Sequence, residues 1–342
     1  MTQEEKARKN AALAIVIPCY NEEEVLPETI KQMSRLLDDM RESGLIDDGS
    51  GVWFVDDGSS DKTWDLITEA TINNKYINGI KLSRNKGHQN ALLAGLETAE
   101  GDVLISVDAD LQDDITVMKQ MMTQYHAGYD VVYGVRKARE LDTRFKRITA
   151  EGYYRVIQKL GVDVVFNHAD FRLMSRRAIE ALKQHEEVNL FLRGMVPAIG
   201  FPSTNVEYDR AERFAGESKY PLKKMLALAA DGVTSFSALP LRFIALLGLF
   251  IFLFSFGFST WVLWVRLFTD NAIPGWASSV LPMYFLGGIQ LLSIGVLGEY
   301  VAKTYMETKK RPRYIIDKTI LNKESGFKTM PAGSIEIDKV SS

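Results

Sequence analysis

The chain has 342 residues, 46% of them hydrophobic and 25% charged, with a formal net charge of −3 at pH 7. That length accommodates one large domain or one domain with appendages, and the small net charge gives no electrostatic basis for nucleic acid as the main partner. A single cysteine, Cys19, excludes an internal disulfide framework and fits a reducing compartment. The opening stretch MTQEEKARKNAALAIVIP lacks the long apolar core of a secretory signal, so the first domain is expected to stay on the side where it is made.

Short apolar runs alternate with amphipathic stretches over the first 210 residues. Residues 14–17 read as a strand stopped by Pro18, followed by a helix over about 22–41 and a loop at ESGLIDDGSG. Residues 52–55 form a second expected strand, which ends at Asp56-Asp57-Gly58. A helix is expected over 61–72, and strands at 80–82, 103–107 and 130–134. This alternation predicts a mainly parallel α/β sheet with helices on both faces. Ligands of such sheets gather at the carboxyl ends of the strands, where Asp56, Asp57, Asp108 and Asp110 all fall.

From Leu222 onward the pattern changes. Leu222, Met225, Leu226, Ala229, Val233 and Phe236 share one helical face, which suits a helix lying along a membrane surface. Residues 243–265 contain no charged side chain and are long enough to cross a hydrocarbon core of about 30 Å. A second apolar stretch covers about 276–298, with Gln290 at mid-span, where an amide bonds to a neighbouring helix. The link TDNAIPG carries no positive charge, whereas Lys303, Lys309, Lys310, Arg311 and Arg313 follow the second stretch. The positive-inside rule then puts the first domain and the tail in the cytoplasm, with Trp261, Trp264 and Trp276 as interfacial anchors near the outer end. The expected organisation is a cytoplasmic domain over 1–215, an amphipathic juxtamembrane region over 216–240, two membrane helices within 241–300, and a basic segment and polar tail over 301–342.

The densest chemistry lies in VLISVDADLQDD, where an apolar run ends on Asp108, Asp110, Gln112, Asp113 and Asp114. Carboxylates that close repel one another, so a cation is expected among them. Two aspartates one residue apart at a strand end can turn toward one ion, and hard oxygen ligands favour Mg2+ or Mn2+ bridging to phosphate. The four histidines, His88, His126, His168 and His185, are scattered and show no zinc spacing.

Three motifs in order, Pro18-Cys19-Tyr20-Asn21-Glu22, Asp56-Asp57-Gly58-Ser59-Ser60-Asp61 and Asp108-Ala109-Asp110-Leu111-Gln112, resemble those of the family 2 glycosyltransferases. The resemblance implies a GT-A (Rossmann-like) fold and a nucleotide-diphosphate sugar as donor. It implies that Pro18, Tyr20, Glu22, Asp57 and Asp61 surround the base and ribose, and that Asp108, Asp110 and Gln112 hold the metal on the diphosphate. Farther on, Arg213-x-x-Gly216-Glu217-Ser218-Lys219-Tyr220, the paired apolar spans and GEYVAKTYMETKKRPRYII look like the polyisoprenyl-phosphate group, which includes the bactoprenol glucosyltransferases and is related to dolichol-phosphate mannose synthase. Val301-Ala302-Lys303 departs from the Gly-Arg that more often follows Gly-Glu-Tyr in that group. A UDP-hexose donor, with glucose or N-acetylglucosamine as the sugar, and a polyprenyl phosphate acceptor at the inner (plasma) membrane are implied. So are a partner that flips the product outward and a homo-oligomeric state.

Basic residues downstream are the candidates for holding an anionic acceptor: Arg136, Arg147, Arg210, Arg213 and Lys219, with Ser218 beside them. Asp170, in NHADFRLMS, matches the family aspartate placed near the acceptor and proposed as a base. An ionised phosphomonoester hardly needs deprotonation, so orientation of the sugar or of Arg172 is the other role open to it. A processive polysaccharide synthase shares the acidic motifs, but its Gln-x-x-Arg-Trp is missing here. A catalytically silent nucleotide-sugar sensor on a membrane tether is the reading from another class, and release of nucleoside diphosphate discriminates it from an enzyme.

Overall fold

The computed structural model describes residues 8, 10–136, 168–187, 190, 192–209, 239–268, 276–322 and 330–331. The chain divides into two units, one of Met1–Tyr154, Asp163–Lys219 and Pro312–Ser342, the other of Arg155–Val162 and Tyr220–Arg311.

The first unit is built on nine strands: β1 (Leu13–Cys19), β2 (Gly51–Asp56), β3 (Ile77–Leu82), β4 (Val103–Ser106), β5 (Val131–Arg136), β6 (His168–Ser175), β7 (Ser203–Tyr208), β8 (Ile316–Ile320) and β9 (Met330–Pro331). They form one sheet in the order β7-β5-β6-β4-β1-β2-β3-β8-β9. β1, β2, β3 and β4 pair in parallel, as does β5 with β7, while β6, β8 and β9 pair antiparallel to their neighbours. The expected mainly parallel sheet is therefore a mixed one around a parallel centre. The antiparallel strands were not anticipated, because β6 interrupts its apolar alternation with Asp170 and Arg172, and β8 lies in a segment read as a polar tail beyond Asp317.

All seven residues of β1 are buried, as a central strand covered on both faces requires. Leu13, Ile15 and Ile17 enter the main core with α1 (Leu26–Glu42) and α4 (Met118–His126). Val16 faces the other way, toward α3 (His88–Thr98), where Gly95 lets the helix approach: a Cβ there would stand 2.3 Å from Val16 Cγ1. Pro18 does not stop β1, which runs on to Cys19 alongside β2. Pairing with β4 ends at Val16, so the missing N–H of Pro18 breaks no ladder on that side. In α1 the buried Leu26, Thr29, Met33, Leu36, Leu37 and Met40 follow helical spacing, and a proline in its first turn sets the start. Among the described residues the other α-helices of this unit are α2 (Thr63–Asn73), α5 (Arg176–Lys183) and α6 (Leu192–Ala198).

β8 pairs with β3, and residues around it fasten the same edge. Ser83 N–H donates to the Ile315 carbonyl, Asn322 Nδ2 donates to the Thr71 and Asn74 carbonyls, and the Tyr314 hydroxyl donates to Glu97 on α3. At the far side of the sheet, the buried Asp130 carboxylate is held by Arg177 and, at 3.3 Å, by Arg8. Burial works to raise the Asp130 pKa, but the bonds from Arg177 and Ser175 outweigh it and hold the carboxyl below its usual range. Stability from this pair is thus present above the unfolded value, near pH 4, and is lost as pH falls through the lower folded value. Asp130→Asn is expected to cost about 2–3 kcal/mol at pH 7, toward the low end for a buried pair because Arg177 is half-exposed. Urea titrations at pH 7 and pH 3 check it: the gap to the parent protein should shrink in acid.

The second unit contains two long helices, α7 (Leu239–Phe268, 30 residues) and α8 (Trp276–Thr308, 33 residues). Among the described residues no helix is long and apolar enough to cross a membrane. Of the side chains described on these two helices, Phe243, Leu246, Phe250, Phe254, Trp264 and Leu291 are each more than 60% exposed, an unusual density of large apolar groups for a water-facing surface.

Candidate active site

The sheet order reverses beside β1: β2 and β3 continue on one side of it, and β4 lies on the other. A crevice past the carboxyl ends of β1 and β4 follows from that reversal. Two loops are laced together over its β1–β2 side. Asn21 N–H donates to Ser59 Oγ at 3.0 Å, Glu22 N–H to Thr63 Oγ1 at 2.9 Å, Glu23 N–H to Asp61 Oδ2 at 3.2 Å, and Asp57 N–H to the Cys19 carbonyl at 2.9 Å. Asp57 also accepts from the N–H groups of Lys86 and Gly87, at 2.7 and 2.8 Å, which draws in the loop before α3. Gly58, at φ +69°, is required there, since a Cβ would stand 2.7 Å from Asn85 N. Burial raises the Asp57 pKa despite the two amide bonds. Tyr20 stands 43% exposed at the same rim. The structure therefore gathers Pro18, Tyr20, Glu22, Asp57 and Asp61 at two adjacent strand ends.

β4 delivers the acidic loop. Leu111 sits at φ +53°, a left-handed turn that costs a non-glycine residue about 1–2 kcal/mol. The turn lets Gln112 N–H reach Asp110 Oδ1 at 3.3 Å, and Thr29 Oγ1 braces the loop by donating to the Ala109 carbonyl at 2.9 Å. Asp108 Oδ1 is buried and has no hydrogen-bond partner. Burial, followed by repulsion from Asp170, Asp113 and Asp110 and opposed by His88, pushes the Asp108 pKa up to about 6. Among the described residues no three His, Cys, Asp or Glu side chains cluster as a self-sufficient metal site. What exists is a partial one, a buried carboxylate oxygen that accepts no hydrogen bond, among hard oxygen donors. It fits a divalent cation whose remaining ligands come from a phosphate-bearing ligand.

Next to this loop lies a cluster about Asp170. Arg172 Nη2 donates to Asp170 Oδ1 at 2.6 Å, and Arg193 reaches Asp170 Oδ1 and Oδ2 at 3.4 and 3.3 Å. His88 Nε2 is 3.5 Å from both Asp170 Oδ2 and Asp108 Oδ1. Burial alone raises the Asp170 pKa, but His88, Arg193 and Arg172 together hold it well below the usual carboxylate range. Burial lowers the His88 pKa, and the two carboxylates overcome it, bringing the imidazole to about 8. At neutral pH, then, Asp170 is an anion surrounded by three cationic groups. Gln89 joins the arrangement by accepting from Leu192 N–H at 3.3 Å, which seats the start of α6 and its Arg193.

A third group ties the acidic loop to two other strand ends. Asp113, almost fully buried, accepts from the Tyr208 hydroxyl at 2.6 Å and from Arg136 Nη2 and Nε at 3.1 and 3.3 Å, all on Oδ1. Arg136 Nε is also 3.1 Å from Tyr208 Oη. Arg136 is the last residue of β5 and Tyr208 the last of β7.

Asp108, Asp110, Gln112, Asp170 and Arg136 thus fall at neighbouring strand ends. Arg147, Arg210, Arg213, Ser218, Lys219 and the amphipathic face over 222–236 lie outside the described residues. His88, read as one of four scattered histidines, is instead central; Asp113, read within the acidic run, is held by Arg136 and Tyr208, and Arg193 had no part in the expected site. One signal was present for Arg193, a lone cation in the apolar stretch NLFLRGMVPAIGF; His88 had none beyond opening a helix after Lys86-Gly87.

Residues 14–183 match the family described as glycosyl transferase family 2. The chain is 51% identical over 314 residues to the uncharacterized glycosyltransferase YkoT of Bacillus subtilis, covering 91% of this chain and 93% of that protein. It is 39% identical over 310 residues to the prophage bactoprenol glucosyl transferase homolog of Escherichia coli, covering 90% and 98%. The SfII prophage-derived bactoprenol glucosyl transferase of Shigella flexneri is likewise 39% identical, over 311 residues covering 90% and 98%.

Proposed function

Since the chain belongs to glycosyl transferase family 2, in its bactoprenol glucosyltransferase-like group, and is a glycosyltransferase, we propose that it moves glucose from UDP-glucose to polyprenyl phosphate at a membrane surface. The observation that carries the reading is the buried Asp108 Oδ1, which accepts no hydrogen bond and has His88 at 3.5 Å, beside the Asp170–Arg172–Arg193–His88 cluster. An anion-binding half and a cation-binding half meet at one set of strand ends, as a reaction between two phosphate-bearing substrates needs.

On this reading the base and ribose of the donor rest among Pro18, Tyr20, Glu22, Asp57 and Asp61. Asp108, Asp110 and Gln112 would hold a Mg2+ or Mn2+ ion, which supplies positive charge to the departing diphosphate. The acceptor phosphate oxygen attacks the anomeric carbon from the face opposite the diphosphate, so the configuration inverts and UDP leaves. Asp170, held anionic, keeps Arg172, Arg193 and His88 turned into the site. Arg136, partly exposed at the end of β5, contacts the acceptor phosphate, and the basic residues at 147, 210, 213 and 219 add to that charge.

The apolar sequence of the two long helices supports a membrane setting: the uncharged run 243–265 meets the length that a hydrocarbon core of about 30 Å requires. The uncharged run 243–265 and the basic residues after α8 fit a catalytic unit on the cytoplasmic side of the plasma membrane, where the lipid acceptor is concentrated.

Detergent-solubilised protein with radiolabelled UDP-glucose, Mn2+ and polyprenyl phosphate tests the proposal. Label should pass into the organic phase, with UDP released in equal amount, and UDP-N-acetylglucosamine should serve less well. Absence of lipid-extractable sugar from every donor would refute it.

A further inference from the structure

Asp113 is buried, yet it belongs neither to the expected donor site nor to the cation-binding pair. A single oxygen, Oδ1, takes three donors from two strands that do not neighbour β4 in the sheet: Tyr208 Oη of β7 at 2.6 Å, and Arg136 Nη2 and Nε of β5 at 3.1 and 3.3 Å. The residue before it is Gln112, whose backbone N–H is fastened to Asp110 Oδ1. One short loop therefore carries Asp108 and Asp110 and, through Asp113, fixes the guanidinium of Arg136.

We propose that Asp113 is a positioning residue that sets the distance between the acceptor-binding arginine, Arg136, and the donor-binding acids on the same loop, a role that rests on the functional reading above. The chemistry gives the reason for such a link. Donor and acceptor are both anionic, and each is held by groups of opposite sign carried on different strands. A misplacement of about 1 Å between reacting groups can lower a rate by about a hundredfold. A long arginine side chain, 27% exposed, has many rotamers, and the fork around Asp113 and Tyr208 selects one. All three donors converge on one oxygen, so the placement of Arg136 depends first on an acceptor at that point. Asparagine retains that oxygen and alanine does not.

The experiment compares Asp113→Ala, Asp113→Asn and Tyr208→Phe in full-length detergent-solubilised protein. Asp113→Ala should raise the KM for polyprenyl phosphate about tenfold, while the Kd of UDP measured with Mn2+ stays within about twofold of the parent. Asp113→Asn should restore the KM to within about threefold, and Tyr208→Phe should fall between. Equal losses of UDP affinity and acceptor KM, or an asparagine variant as impaired as the alanine one, would overturn the role. A solved structure of Asp113→Ala gives an answer that does not depend on the identity of the acceptor: Arg136 should leave Tyr208, and a guanidinium that stays in place sinks the proposal. Failure of the parent protein to glycosylate polyprenyl phosphate would count against the functional reading alone.

Discussion

Asp108→Asn is expected to lower transfer by about a thousandfold, at the upper end of the effect of removing one group that stabilises developing charge. Asparagine keeps the shape of the side chain but removes the charge that would hold a cation on the diphosphate. The parent protein should lose activity in EDTA and regain it with Mn2+ or Mg2+, whereas the variant should not respond. Stability should move in the opposite direction. Without metal, burial and the neighbouring carboxylates raise the Asp108 pKa to about 6, so ionisation opposes folding. Its favourable contribution is full below the unfolded value near 4 and is lost as pH rises through about 6. In EDTA at pH 7 the variant should therefore melt no lower than the parent, and near pH 4 the difference should close. A variant that is both inactive and less stable in EDTA would show that Asp108 supports the fold instead.

Asp170→Asn should produce the second large loss, and for a different reason. Arg172 is fully buried with Asp170 as its ion-pair partner, so neutralising the acid leaves a buried cation and costs about 3–5 kcal/mol. Transfer should fall at least a hundredfold, as Arg193 and His88 lose the carboxylate that orients them. The pH–rate profile of the parent separates orientation from proton abstraction. Asp170 is held well below the usual carboxylate range, which makes it a poor base. The acid limb should instead follow the acceptor phosphomonoester, near pH 6. A limb that persists unchanged with an acceptor of different phosphate pKa would return the base role to the protein.

The parallel centre of the sheet and the donor side of the site were legible because β1, β2 and β4 are near-continuous apolar runs, and β2 and β4 end abruptly in acids. Such a break marks a strand end whatever the tertiary context. β5 was legible as well, but β6 beside it was not. In β6, Asp170 and Arg172 share one face while Phe171 and Leu173 share the other, so charged side chains stand where alternation calls for core, and only their pairing makes burial tolerable. His88 and Arg193 come from distant points in the chain and meet only through the packing of α3 and α6, which no local pattern encodes. Asp113 read as one of a run of acids awaiting a cation, whereas the structure buries it against Arg136 and Tyr208, from two strands that the sequence does not bring together.

β8 carries a consequence for how the protein is made. The strand that covers β3 leaves the ribosome only after both long helices have been synthesised, so the nascent catalytic unit waits with one edge of its sheet bare. A gene cut at residue 311 would encode every motif acid and still lack the last partner of β3, along with the tyrosine that fastens Glu97. Soluble fragments ending there should aggregate during expression, because the enzyme's final stitch is sewn from its far end.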